Sequence, residues 1–303
     1  MERNDHPKVN SLIRINNYLT KKGLFNWMED EMFLKMRYRV KLGTKLNLEK
    51  PQTFNEKMQW LKLYDRNPIY TKMVDKYEVK KLVSESIGDQ YIIPTYGIWE
   101  KFEDICFDEL PNQFVLKCTH DSGGVVIIKD KNSFDLKDAK RKINKSLSRN
   151  YYWEGREWPY KNVKPRIIAE KYMIDESDTE LKDYKMMCFN GKMMCVFVCS
   201  ERNLQSGLHI TIYDREWNKM PFGRNHPASD LDIEKPKKLD RMIYLSEKFS
   251  ADLPFLRVDL YEINGCIFFG ELTLYPGSGF KEFIPESWDY ELGSWLHLPT
   301  GDI

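Results

Sequence analysis

Little in this sequence advertises a function at first sight. Its 303 residues carry 47 Lys+Arg against 46 Asp+Glu, a net charge of +1. That balance withholds the basic excess expected of a nucleic-acid binder. The five histidines (His6, His120, His209, His226, His297) are scattered, and no Ser/His/Asp arrangement emerges from them. None of the six cysteines (Cys106, Cys118, Cys188, Cys195, Cys199, Cys266) belongs to a C-x-x-C pair, which removes the commonest zinc and redox spacings. Most stand in strand-like runs such as "KMMCVFVC", where reduced core thiols are expected. No stretch approaches the roughly 18 apolar residues of a membrane-spanning helix. The polar opening "MERNDHPKVN" lacks the apolar segment of a secretory leader. A cytoplasmic protein is expected. Internal repeats and low-complexity linkers are also missing.

Hydrophobic residues make up 42% and aromatic residues 14%, enough for the sizeable core of one large or two ordinary domains. Residues 1–50 read as a helical, basic extension. Met28, Met32, Met36 and Val40 recur at four-residue steps there, before Gly43 as a stop. Such a stripe is expected to pack on its own protein, contact with a membrane surface being the other reading. "TFNEKMQWLKLYD" opens with Thr53 and carries Glu56 three residues on, the pattern of a capping box. Helix, glycine-bearing turn and strand follow over 70–99. "QFVLKCTHDSGGVVIIKD" is strand, loop and strand, and helices are expected over 134–150 and 234–252. "KDYKMMCFNGKMMCVFVCSER" is a hairpin turning at Asn190-Gly191. Hairpins outnumber strand–helix–strand units, so the fold class is α+β.

Three places bear chemistry. Lys117 ends an apolar strand and the loop "HDSGG" follows; Ser122, Gly123 and Gly124 can turn backbone N–H groups onto an anion, although such a loop is usually only a turn. In "IIAEKYM" a strand runs into Glu170-Lys171, whose backbone can meet a purine edge or simply form a sheet edge. Asp183 and Lys185 share one strand face, able to reach one ligand together or to pair with each other. The last hairpin, "RVDLYEINGCIFFGELTLYPGSGF", is the most telling. It turns at Asn264-Gly265, so Asp259 comes opposite the region of Glu271, with Arg257 and Thr273 on the same faces. Burying unpaired carboxylates costs several kcal/mol. A magnesium ion between them, with an arginine for a transferring phosphate, turns that cost into a site; mutual ion pairing is the alternative.

The order of these pieces resembles the ATP-grasp superfamily. "TFNEKMQWLKLYD", "FVLKCTHDSGG", "DYK..CFNG" and "FGELT" are similar to its teichuronopeptide-biosynthesis (TupA-like) family over roughly residues 50–300. The resemblance implies two α+β subdomains gripping ATP. Residues 51–113 would precede the grasp, 114–175 would form the subdomain with the glycine loop, and 176–303 the one with the metal site. Lys76 and Lys117 would hold phosphates beneath the loop of Ser122, Gly123 and Gly124. Glu170 and the backbone of Lys171, Tyr172 and Met173 would frame the adenine, with Asp183 at the ribose and Lys185 at the phosphates. Asp259, Glu271 and Thr273 would bind Mg²⁺, Thr273 standing where the superfamily usually has asparagine. Arg257, Lys185 and Lys117 would be catalytic.

The implied activity is an ADP-forming carboxylate–amine ligase working through an acyl phosphate in cell-surface polysaccharide assembly. Its partners would be an amine or amino acid and a uronic-acid or polysaccharide acceptor, with peripheral contact to membrane-bound assembly machinery. A glycosyltransferase or a non-catalytic ATP-binding scaffold are the competing readings. His120 is a further candidate for phosphate or acceptor, with simple turn duty as the competing reading. The cluster Tyr151, Tyr152, Trp153, Trp158 and Tyr160 around Arg156 suits a carbohydrate, or a lid packed on the core.

Overall fold

The computed structural model describes residues 7–175, 181–201 and 207–299, with side chains from residue 11 onward. Five helices lead: α1 Pro7–Lys21, α2 Asp30–Leu42, α3 Phe54–Tyr64, α4 Ile69–Val74 and α5 Glu78–Ile87. Strands β1 Thr95–Trp99, β2 Phe114–Cys118 and β3 Val126–Ile128 follow, then α6 Leu136–Leu147, α7 Tyr152–Gly155 and β4 Ile167–Lys171. The remainder is β5 Asp183–Phe189, β6 Lys192–Ser200, β7 His209–Asp214, α8 Leu239–Ser250, β8 Phe255–Ile263, β9 Cys266–Thr273 and α9 Ser287–Trp295.

The strands form two sheets, ordered β1-β4-β2-β3 and β7-β6-β5-β8-β9, and among the described residues their strand pairings are antiparallel throughout. This is the α+β arrangement expected from hairpin-rich patterning. Both Asn-Gly pairs make two-residue turns with positive φ at each position (45° and 82°; 51° and 72°), the geometry that matches strand twist. Thr53 accepts from the Glu56 N–H while the Glu56 side chain accepts from the Thr53 N–H, so the capping box starts α3 as expected.

Two main cores result. The larger packs α3, α4, α5, α8 and α9 against the five-stranded sheet, and the smaller packs α6 against the four-stranded one. Alternation along β5 sends Tyr184, Met186 and Cys188 one way, with Cys188 reaching Ser250 of α8. Asp183 and Lys185 face the other way. A third cluster, of Phe33, Leu34, Tyr38, Leu46 and Phe280, seats α2.

The methionine stripe packs on its own protein in part: Met28 and Met36 are half-buried against the Phe33, Leu34 and Tyr38 cluster, while Met32 is exposed and the fully buried face of α2 is Phe33, Leu34, Arg37 and Tyr38. Within that face Phe33 lies under Arg156 at the end of α7, 4.5 Å away, and Arg37 reaches Asn16 and Thr20 of α1. Among the cysteines, Cys118, Cys188, Cys195 and Cys199 are buried free thiols, but Cys106 and Cys266 are exposed.

Candidate functional site

Between the two sheets lies a cleft of about 500 Å³. One wall comes from the four-stranded sheet and its exit strand: Val115, Lys117 and Glu170 through Ile174. Facing them are Asp183, Lys185, Asp259, Gly270 and Glu271, with Lys76 also lining the space. Most of the residues nominated from sequence therefore meet in one place, although they come from six separate segments.

The metal-type pair owes its geometry to strand register. Asp259 is the cross-strand partner of Glu271, and Arg257 of Thr273. Lys185 is the partner of Asp259 on the other side. These side chains therefore stand on one face of three adjacent strands. The register slips between Asp259 and Leu260, leaving Gly270 as the extra residue of a bulge. A Cβ on Gly270 would lie 2.9 Å from the Tyr261 ring and 3.1 Å from the Asp259 carbonyl. A larger residue there would have to push the Tyr261 ring aside and crowd the Asp259 carbonyl.

Charges there interlock. Arg257 grips Asp259 with Nε at 2.6 Å and Nη2 at 2.7 Å, and Nη2 also donates to Glu271 at 2.9 Å. The Lys185 ammonium donates to Asp183 at 2.6 Å and to Asp259 at 2.5 Å. Thr273 Oγ1 donates to Glu271 Oε1 at 3.3 Å. Burial alone would raise the Glu271 carboxyl, but Arg257, Lys76, Lys185 and Lys117 outweigh it and hold it at about 2. Its side chain is 43% exposed, so the carboxylate is ionised and presented to the cleft. Burial opposes the charge on Lys185 too, yet Asp259 keeps its pKa raised.

On the opposite wall, Glu170 lies between two lysines, Lys117 at 2.5 Å and Lys80 at 2.7 Å. Burial works against its charge, and the two ammonium groups overcome it and lower its pKa. Lys80 was not nominated from sequence. It also donates to the Ile93 carbonyl at 2.7 Å and Thr95 Oγ1 at 2.8 Å, which fixes it beneath the strand. Its signal was faint: a second lysine four residues after Lys76, at helical spacing.

Ser122, Gly123 and Gly124 do not line the cleft, though Val125 beside them does. The loop is tied down from behind. The buried Asp121 carboxylate accepts from Ser146 and from Arg149 at 2.6 Å, the Lys76 ammonium donates to the Asp121 carbonyl, and Arg149 reaches the Ser122 carbonyl at 3.1 Å. The Asp121–Ser146–Arg149 knot was not foreseen.

His120 takes the structural of its two readings. Its buried ring sets Nε2 at 3.2 Å from the Ser146 carbonyl and 3.0 Å from that of Arg149, holding the loop to the end of α6. Arg156 likewise leaves the acceptor cluster. It is buried, stacked on Phe33 (4.5 Å) and Trp153 (4.5 Å), and donates to the Phe25 and Met28 carbonyls at 2.8 and 3.1 Å. Trp158 donates to the Asp65 carbonyl at 3.0 Å. Tyr151 and Tyr160 pack edge to face at 4.9 Å. Burial, then the charges of Glu157 and Glu271, push the Tyr160 phenol well up.

The donor set fits magnesium better than a protein-only cage. Among the described residues no three His, Cys, Asp or Glu side chains gather for a metal. Two opposed carboxylates and a neighbouring hydroxyl match an ion that keeps water and takes further oxygens from phosphate. Lysines and an arginine around that pair suit a polyanion, and the strand edge after Glu170 suits a flat base.

Two sheets closing on a cleft with this distribution of charge define an ATP-grasp fold. The chain belongs to the TupA-like ATPgrasp family, whose model matches residues 56–297. No curated protein matches. Solved structures resemble it more loosely. D-alanine–D-alanine ligase from Bacillus anthracis, complexed with ATP, is 17% identical with a TM-score of 0.39, over 67% of this chain and 55% of that one. L-amino acid ligase from Bacillus licheniformis is 13% identical with a TM-score of 0.43, over 84% and 57%. A RimK domain ATP-grasp protein from Sphaerobacter thermophilus is 10% identical with a TM-score of 0.41, over 77% and 70%. The chain thus spans little more than half the length of the two ligases.

Proposed function

We propose that this protein is an ATP- and Mg²⁺-dependent carboxylate–amine ligase acting in cell-surface polysaccharide assembly in the cytoplasm. The carrying observation is the cleft itself, with Lys117, Lys185, Asp259 and Glu271 converging from both sheets and Lys76 from the turn between α4 and α5. Family membership supports the ATP-dependent ligase chemistry, and the polymer-building setting is part of the proposal.

In this reading the adenine lies along Lys171 to Met173 beside Glu170, with Asp183 at the ribose. Lys76, Lys117 and Lys185 neutralise the phosphates, and the Ser122–Gly124 loop closes over them. Asp259, Glu271 and Thr273 would hold Mg²⁺, which supplies charge neutralisation at the phosphate oxygens when bound. A carboxylate oxygen of the acid substrate attacks the γ-phosphorus, and ADP leaves with the bonding electron pair. Arg257 offsets the negative charge as the phosphoryl group moves. The amine nitrogen then attacks the acyl carbon, phosphate departs, and the nitrogen loses its proton. Positioning and charge suffice, so no side-chain nucleophile is required. Tyr151 and Tyr160 are the aromatic rings proposed to meet the uronate or sugar.

The test is an assay of ADP and phosphate release with Mg-ATP, candidate uronates and amines. ADP formed only when acid and amine are both present supports the ligase. ADP with a stable phosphorylated product and no amine requirement identifies a kinase. ATP binding without turnover across the panel leaves a scaffold.

A further inference from the structure

Helix α1 is inside out. Its buried positions are polar: Asn16 and Thr20 face α2, where Arg37 donates to both side chains, at 3.2 Å in the case of Thr20. Thr20 itself donates back to the Asn16 carbonyl at 2.8 Å. Ile13 and Leu19 are half-buried, but three apolar residues point outward instead. Leu12 is 63% exposed, Ile15 55% and Tyr18 61%, at successive three-residue steps along one side of the helix. The following turn continues the surface with Leu24 and with Trp27, which is 78% exposed. Burying polar residues and exposing apolar ones reverses the usual economy of a surface helix.

The charges around this face have one sign. Residues 7–28 contain Lys8, Arg14, Lys21 and Lys22 and no acid. Arg14, Lys21 and Lys22 are exposed and border the apolar side chains, and the Lys22 ammonium sits 5.8 Å from the Tyr18 ring. The acids that come next are partly engaged at home: Asp30 with Arg156 and Tyr152, and Glu31 with Lys35, leaving Glu29 exposed. An apolar ridge on a convex helix, edged by lysine, arginine, tyrosine and tryptophan, has the chemistry of an interfacial membrane anchor.

We infer that α1 and the turn to Trp27 dock on an anionic lipid surface, the side chains of Leu12, Ile15, Tyr18, Leu24 and Trp27 entering the headgroup boundary while Arg14, Lys21 and Lys22 meet lipid phosphates. A protein groove fits the observations less well, because the apolar side chains spread over a convex face under a uniform positive charge. Arg156 ties the Phe25–Met28 turn to α7, so the docked surface is fastened to the segment that also carries Tyr151. The inference is independent of the ligase reading.

Sedimentation of the full chain with phospholipid vesicles tests it. Wild type is expected to pellet with vesicles containing about 30 mol% phosphatidylglycerol, not with phosphatidylcholine alone, and to be released by about 0.5 M salt. Ile15→Ser with Trp27→Ser, and separately Lys21→Glu with Lys22→Glu, are each expected to weaken binding by roughly tenfold or more. Thermal melting and Mg-ATP binding should be unchanged in both, since these side chains are exposed and outside the cleft. Failure of wild type to bind anionic vesicles overturns the inference, as does binding that survives either pair of substitutions. A dimer in sedimentation equilibrium that the Ser pair dissolves, without vesicle binding, would give the face to a second copy and equally overturn it.

Discussion

Glu271 is the residue on which the chemistry turns. Its carboxylate is held ionised by Arg257 and the lysines while being offered to the cleft. Glu271→Gln keeps the shape and removes the charge, and is expected to lower kcat by about 100-fold or more with little change in melting temperature. Turnover near the wild-type rate would remove it from the site. Its pH behaviour follows from the depressed pKa. The folded value of about 2 lies below the ordinary 4.5, so any stability it contributes is present above pH 4.5 and lost as pH falls towards 2. Carbon-13 NMR titration of the Glu271 carboxyl should give a value near 2, and Lys76→Met should move it upward. Asp259, Glu271, Glu170, Lys117 and Lys185 could all be nominated from the chain because each breaks an apolar run. Lys80 could not: a lysine in an amphipathic helix looks solvated until β4 brings Glu170 within 2.7 Å.

At the scale of elements, the segments framing the cleft are held by buried polar ties rather than by their own propensities. Lys62 of α3 is fully buried and donates to the Gly155 and Ser278 carbonyls, both at 2.8 Å, and to Ser278 Oγ and Gln59 Oε1, both at 3.0 Å. It therefore joins α7 to the turn after β9. Lys62→Met should leave those carbonyls without a donor and cost about 2–4 kcal/mol, read from the denaturant midpoint. The glycine loop rests on a comparable constraint. Gly124 has φ near 62°, and a Cβ there would lie 2.3 Å from Ser146 Oγ. Gly124→Ala should cost about 1–3 kcal/mol of stability. If the loop covers phosphate, the same variant should raise KM for ATP more than it lowers kcat. The hairpins and the capping box were legible because each depends on two to four adjacent residues. The anchors of loop and turn were not, since their partners lie 25 to 216 residues away in the chain.

For the whole molecule, the grasp depends on two sheets with separate cores sharing one ligand. A ligand bound to both walls stabilises only the folded arrangement. Mg-ATP at about 100 times its Kd should therefore add about 2.7 kcal/mol of stability, visible as a rise in Tm. The rise should shrink when magnesium is chelated and disappear in Asp259→Asn with Glu271→Gln. Equal stabilisation with and without magnesium would separate the carboxylate pair from metal binding. The N-terminal helices are fastened through Arg156, and Arg156→Met should expose the 22–29 turn to limited proteolysis while the sheets stay protected. Among the described residues no helix is long and apolar enough to cross a membrane.

From the chain alone followed the α+β class, the two Asn-Gly turns, the capped α3 and the acids and lysines that break apolar runs, all read from neighbours within a few residues. Folding decided which of those charges meet. Register put Asp259 opposite Glu271 and beside Lys185, the loop knot turned His120 inward, and packing on α2 took Arg156 from the candidate acceptor site into the core. Periodicity reports which way a side chain points within its own element; only the packing of separate elements determines what lies on the other side.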